Sequence, residues 1–238
     1  MVYMGPSYLT LGSKVPYEYF MTAGKGESDA GSKGLPFETG SYDAALNDAG
    51  IEDANIVKYT SVIPTGAKFI SKEDGLKTIA WGEKLEAIMA QANGSKGETI
   101  TAGVMTSKVF GKNGQYLGGF AVEYSGPGNK EQVEQALLIS IRGIIERRGY
   151  GRLPENAKLR HDNKTDLGYT IHPGFKFVYA TMDPITKAHG TALAAICFVS
   201  FKVPLLTSGS AVQSPKHSRT RSRTRSAKRR KTTRRRSR

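Results

Sequence analysis

At 238 residues, 38% hydrophobic and 24% charged, the chain has the composition of a soluble globular protein with one large domain or two small ones. No apolar run nears the roughly 18 residues of a membrane-spanning helix, and the opening MVYMGPSYLTLGSK lacks the layout of a secretory signal, so a cytoplasmic protein without a membrane partner is expected. The formal charge of +14 is concentrated: residues 215–238 hold 13 of the 35 Lys and Arg and no acid, leaving 22 basic and 21 acidic side chains before them, which implies no basic folded face for nucleic acid.

In chain order, KVPYEYFMTAG (14–24) predicts a first strand, followed by a loop rich in glycine and acid. SYDAALNDAG (41–50) predicts a short helix, with Ser41 as N-cap and Gly50 just past the end. NIVKYTS (55–61), KLEAIMAQA (84–92), TITAGVMTSKVF (99–110) and YLGGFAVEYSG (116–126) predict strands, with GKNGQ as a hairpin turn between the last two. NKEQVEQALLISIRGIIERRG (129–149) is the clearest helix, because Val133, Leu137, Ile141 and Ile144 recur at spacings of three and four. GFKFVYATM and ALAAICFVSFKVP predict two closing strands. Cys197, the single cysteine, sits in the last run and reads as a small buried hydrophobe. Strands outnumber helices, and the hairpin signals imply an α+β fold with a largely antiparallel sheet carrying helices. From residue 205 the composition shifts to Ser, Gly and Pro and then to Arg and Ser, a linker and a tail unable to bury enough apolar surface to order themselves.

Familiar catalytic patterns are missing. His161, His172, His189 and His217 have neither each other nor a cysteine at metal-ligand spacing, so no metal is expected. Neither GxGxxG after a strand, GxxxxGK[ST] nor GxSxG occurs, and GSKG and GKNG read as turns. An enzyme built on this chain must obtain its electrophile elsewhere.

The pair Thr60-Ser61 offers a source. Taken alone it is a strand end running into a turn, VIPTG, where Pro64 fixes φ. Together, however, SYDAALNDAGIEDANIVKYTSVIPTGA and FAVEYSG resemble the pyruvoyl-dependent arginine decarboxylases over roughly residues 15–205. The elements are an Asp-bearing helix, an Asn shortly before a Ser-Ser or Thr-Ser pair, an Ile-Pro turn and an AEYSG-like strand. Thr60, where many relatives have Ser, is similar to the chlamydial branch, and the attacking hydroxyl on the second residue is retained.

The resemblance implies that Ser61 Oγ attacks the carbonyl of Thr60, and that the chain splits there as Ser61 becomes a covalent pyruvoyl group. That ketone would form a Schiff base with the α-amine of L-arginine and act as electron sink in place of pyridoxal phosphate, giving agmatine and CO₂. Glu123 would protonate the carbanion. Asp43 would hold the guanidinium, and Asn55 would hydrogen-bond near the pyruvoyl group or the substrate. Each also has a plainer reading: an acid on a solvated strand face for Glu123, an anion suited to a helix N-terminus for Asp43, a polar strand start for Asn55. Asn55 and Ser61 lie about 20 Å apart along a straight strand, so the chain bends there or two subunits share the site.

By the same resemblance the fold is an αββα sandwich assembled as a homotrimer. Residues 1–60 are the small chain, 61–205 the body of the large chain, and 206–238 the linker and basic tail. The tail departs from the family: its Arg-Ser and Arg-Thr alternation resembles arginine-rich nucleic-acid-binding arms, which bind without sequence preference and with steep salt dependence, and its plainer reading is a solvated extension. Two alternatives stay open: an unprocessed decarboxylase-like body tethered to nucleic acid by its tail, and a pyruvoyl decarboxylase of another amino acid such as histidine.

Overall fold

The structure is a computed structural model that describes residues 13–29 and 38–203. The first twelve residues, residues 30–37 of the glycine-rich loop, and the linker and tail lie outside the described residues. Among the described residues, ten strands form two five-stranded sheets. The first has the order β2 (Asn55–Lys58), β5 (Lys84–Ser95), β10 (His189–Lys202), β1 (Val15–Ser28), β4 (Lys68–Phe69). The second has the order β3 (Val62–Ile63), β7 (Tyr116–Gly126), β6 (Ile100–Phe110), β9 (Thr170–Met182), β8 (Asn163–Lys164). All pairings are antiparallel except β2 with β5 and β1 with β4.

Alternation along the strands divides the apolar side chains into three clusters. Tyr19, Met21, Ile88, Ala90, Ala194 and Ile196 of the first sheet pack with Ala102, Val104, Ala121 and Ala180 of the second. The opposite face of the first sheet, with Phe20, Met89, Leu193 and Cys197, takes Ala45, Leu46 and Ala49 of helix α1 (Asp43–Ala49). Met105, Val109 and Val122 of the second sheet take helix α3 (Lys130–Arg147). Cys197 is fully buried, and burial pushes its thiol up to about 12, so it is the inert hydrophobe expected.

Helix α3 starts at a capping box in which Asn129 and Gln132 exchange side-chain and backbone hydrogen bonds. Its buried stripe is Val133, Leu137, Ile141 and Ile145. Ile144, expected inside, is only half-buried, because a strict spacing of four carries the stripe to Ile145. Burial of these four side chains contributes about 1.5–3 kcal/mol apiece.

Helix α1 departs from expectation at its start. Ser41 is not its N-cap: the chain enters from a wide helical turn, Glu38–Tyr42, and Ser41 is buried with Oγ 2.8 Å from Thr191 Oγ1 on β10. A tertiary partner has taken the side chain that local capping would use. Gly50 ends the helix as expected, at φ 77°. The helix lies directly on β1, where a Cβ at Gly24 would sit 2.2 Å from Ala45 O and one at Gly26 2.5 Å from Ser41 O. A short helix, α2 (Lys72–Leu76), and the two-residue strands β3, β4 and β8 were not anticipated. None of the helices among the described residues is long and apolar enough to cross a membrane.

Candidate active site

The predicted strand over 55–61 stops at Lys58, and the reason is topological. β2 pairs with β5 at the edge of the first sheet, and the ladder ends where Tyr59 N–H donates to Ala87 O at 2.7 Å. Two residues later the chain is in the second sheet: Ala121 N–H donates to Ser61 O at 2.9 Å, and Val62 and Ile63 pair with Phe120 and Gly119 of β7. The Thr60–Ser61 peptide therefore spans the gap between the two sheets. Thr60 is exposed and Ser61 half-buried. Behind it the Pro64 turn closes through Ala67 N–H to Pro64 O at 3.1 Å, with Gly66 at φ 87°. Thr65 Oγ1 ties that turn to Leu117 O at 2.7 Å.

Glu123 lies on β7 two residues beyond Ala121, about 7 Å along the strand from the partner of Ser61. The expected alternation holds: Phe120, Val122 and Tyr124 face α3, while Ala121 faces the first sheet and Glu123 shares its parity. Glu123 keeps accessible surface, yet the protein around its carboxyl raises its pKa through desolvation, and the charge of Lys58 opposes the rise. A carboxylic acid that holds its proton better than usual, two residues along β7 from the partner of Ser61, can donate that proton.

Asn55 begins β2, exposed, and its Nδ2 donates to Gly82 O at 2.7 Å, closing the turn before β5. Asp43 is exposed in the first turn of α1, and its carboxylate forms no ion pair among the described residues. The fold keeps Asp43 away from Ser61. Its neighbour Ser41 sits at Thr191, which pairs with Asn93 of β5, whereas Tyr59 meets β5 at Ala87. Six residues of strand, about 20 Å, separate the two levels, several times the reach of an arginine side chain. Within one chain, then, Ser61 and Glu123 are brought together and Asp43 is not.

Three further residues cluster here. Glu86 is 4% exposed on β5 and accepts hydrogen bonds from both Lys14 Nζ and Tyr59 Oη. Burial raises its pKa, but the Lys14 and Tyr59 hydrogen bonds and the Lys14 charge outweigh that and leave it below the usual carboxylate range. The Tyr59 phenol is pushed up to about 12, first by burial and then by Glu86. The sequence carried a signal for this group: in KLEAIMAQA, Glu86 shares parity with Ile88 and Ala90, an acid in the buried row. Among the described residues no three His, Cys, Asp or Glu side chains are grouped to hold a metal.

Among the described residues, β5 beyond Ala87 and β7 beyond Ala121 each pair with a single strand. Between these open edges lies a cleft of about 610 Å³ lined by Gln91, Asn93, Glu98, Ser125 and Pro127 among others.

Known proteins resemble this chain over most of its described length. The model of the pyruvoyl-dependent arginine decarboxylase family matches residues 18–203. Pyruvoyl-dependent arginine decarboxylase AaxB of Chlamydia abortus is 42% identical over 197 residues, 80% of this chain and 94% of its own length. The AaxB protein of Chlamydia caviae is 41% identical over the same shares. Pyruvoyl-dependent arginine decarboxylase 2 of Archaeoglobus fulgidus is 33% identical over 113 residues, 47% of this chain and 66% of its own length. The chain belongs to the pyruvoyl-dependent arginine decarboxylase family.

Proposed function

We propose that the chain cuts itself between Thr60 and Ser61 and then decarboxylates L-arginine to agmatine. The observation that carries this reading is the position of the Thr60–Ser61 peptide, free of either ladder and suspended between two sheets, with Glu123 on the adjoining strand. In the cut, Ser61 Oγ adds to the Thr60 carbonyl carbon, the C–N bond breaks, and the hydroxyl proton passes to the Ser61 nitrogen, leaving an ester. Loss of the Ser61 Cα proton then expels the Thr60 carboxylate with the Cβ–O electron pair. Water adds at Cα of the resulting enamine and ammonia leaves, so residues 61–238 begin with a pyruvoyl group and residues 1–60 end at Thr60.

The surroundings of Ser61 fit such a group: it is half-buried and anchored through its own carbonyl, leaving the rest of the residue free to change. When bound to an amine, a pyruvoyl ketone supplies an electron sink for loss of CO₂. The side chains do the rest. Glu123 delivers a proton to the substrate α-carbon once CO₂ has left. Asn55 hydrogen-bonds the substrate, and Asp43 pairs with the guanidinium, a charge-assisted contact worth about 1.5–3 kcal/mol.

The distance between Asp43 and Ser61 supports a site completed by a second copy of the chain, with the open edges of β5 and β7 as the contact. We take the assembly as a trimer of αββα sandwiches. Mixed oligomers of Asp43→Ala and Ser61→Ala chains are then expected to regain activity that neither parent has, because some sites combine an intact Asp43 with an intact Ser61. Verified mixed oligomers as inactive as their parents would exclude a shared site.

Substrate identity is tested by incubating the purified, processed protein with L-arginine, L-lysine and L-histidine and identifying the amine by mass. Agmatine is expected to form at least about tenfold faster than either other product, since the lost carboxylate–guanidinium contact alone is worth that much. Histamine as the main product would place the chain with another substrate.

A further inference from the structure

We propose that Lys14, Glu86 and Tyr59 form a clamp that positions the scissile peptide for self-cleavage. The inference rests on the reading of Ser61 as the attacking residue. It starts from where the two ends of the Thr60 unit are held. On the far side, Ser61 O is fixed by Ala121 N–H. On the near side, Tyr59 is held three ways: its N–H by Ala87 O, its Oη by Glu86, and its ring by Phe198, with centroids 5.8 Å apart. Lys14 takes the other oxygen of Glu86, and its ammonium also lies 4.1 Å from the centroid of Phe201.

Both hydrogen bonds to Glu86 come from residues before the cut, whereas Glu86 itself lies after it. The carboxylate is thus a bridge across the future break, placed one residue from it. Its chemistry suits holding rather than proton transfer. Both oxygens are engaged, one by an ammonium and one by a phenol, and the side chain is almost wholly buried.

The geometry of the step explains why holding matters. The hydroxyl that attacks belongs to the residue whose own amide is broken, so Oγ must approach the preceding carbonyl within a strained five-membered ring. A free chain seldom visits that arrangement, and a small misplacement of reacting atoms costs orders of magnitude in rate. With Tyr59 and Ser61 O pinned, only the rotations about Thr60 and the Ser61 side chain remain to be searched. Lys14, Glu86 and Tyr59 are positioning residues, not catalytic ones.

The test follows conversion of freshly synthesised, uncut chain to two chains by intact mass over time. Tyr59→Phe, which removes only the hydroxyl, and Glu86→Gln are each expected to slow cleavage about ten- to a hundredfold. Lys14→Met is expected to do the same and Lys14→Arg to restore most of the rate. A purely structural ion pair is separated from a clamp by Ile196→Val, a core substitution on β10. Thermal midpoints are measured in the uncuttable Ser61→Ala background. The clamp predicts that Tyr59→Phe cleaves far more slowly than Ile196→Val at equal loss of midpoint. It is overturned if Tyr59→Phe and Glu86→Gln cut at the normal rate, or if rate merely follows midpoint across all variants. A wild-type chain that never cuts would overturn the Ser61 reading and the clamp together. A wild-type chain that cuts, with Tyr59→Phe cutting equally fast, would overturn the clamp alone.

Discussion

Ser61→Ala is expected to leave the chain in one piece and to abolish decarboxylation, a loss of at least about 10⁶-fold, the lower end of what enzymes add to uncatalysed rates. Alanine has no oxygen to attack Thr60, so the chain lacks an electrophile. No nearby residue can stand in. Cys197 is fully buried with its thiol pushed up to about 12, and Thr60 carries its hydroxyl on the wrong side of the bond. The fold should survive, because the contact Ser61 makes with β7 is through its backbone carbonyl. The thermal midpoint of the uncut protein should therefore change little, within about 0.5 kcal/mol of stability. Intact mass under denaturing conditions separates the outcomes: wild type gives two species, the larger lighter by one ammonia than a fragment starting with serine. A Ser61→Ala protein that still splits or still makes agmatine would show that the electrophile lies elsewhere.

Glu123→Gln is expected to process normally and to lose about 10²–10⁴-fold in kcat, the usual contribution of a positioned acid. The pH dependence carries the sign. Burial raises the Glu123 pKa and Lys58 opposes it. The protonated form is the donor, so activity is present below that pKa and is lost as pH rises through it. Lys58→Met removes the opposing charge and should move the falling limb to higher pH. In Glu123→Gln the limb should vanish. A limb at the same pH in wild type and Lys58→Met, or a Glu123→Gln enzyme within about threefold of wild type, would assign the proton to another group.

Much of this was legible in the residues, for physical reasons that differ by element. β7 runs from Tyr116 to Gly126 as read, because alternation and the GKNGQ turn fix both ends; Gly111 N–H to Gln115 O closes that turn at 2.8 Å. Helix α3 was visible from its apolar spacing, and the structure adds its Asn129–Gln132 cap. The two-residue strands β3, β4 and β8 are too short for any period and exist because longer strands beside them offer partners. Helix α2 hides a glycine, Gly75, whose Cβ would lie 2.1 Å from the Phe20 ring, and its sequence shows no apolar face to read. Ser41 misled because its partner, Thr191, is 150 residues away. At the site, Thr60, Ser61 and Glu123 were named from the family resemblance; Thr60 and Ser61 lie between β2 and β3, and Ser61 meets β7 two residues from Glu123. The split of the crossing between two sheets, and the buried Glu86 beneath it, depend on which strands neighbour which, and that is written in tertiary packing.

β1 is an interior strand, between β10 and β4, and pairs with β10 from Val15 to Ser28 with irregularities at Glu18. With the chain cut at Thr60 as proposed, β1 and β2 belong to one polypeptide and the remaining described strands to another. The pieces stay together as a plug stays in its socket, through a ladder neither can complete alone. Separation then dissolves a sheet rather than opening a domain, and return requires two molecules to meet, so recovery depends on concentration. An uncut chain can fold, fail and try again by itself; a cut one must first find its other piece. Its working lifetime is set by how slowly that sheet first comes apart, a barrier height, more than by any balance between folded and unfolded states.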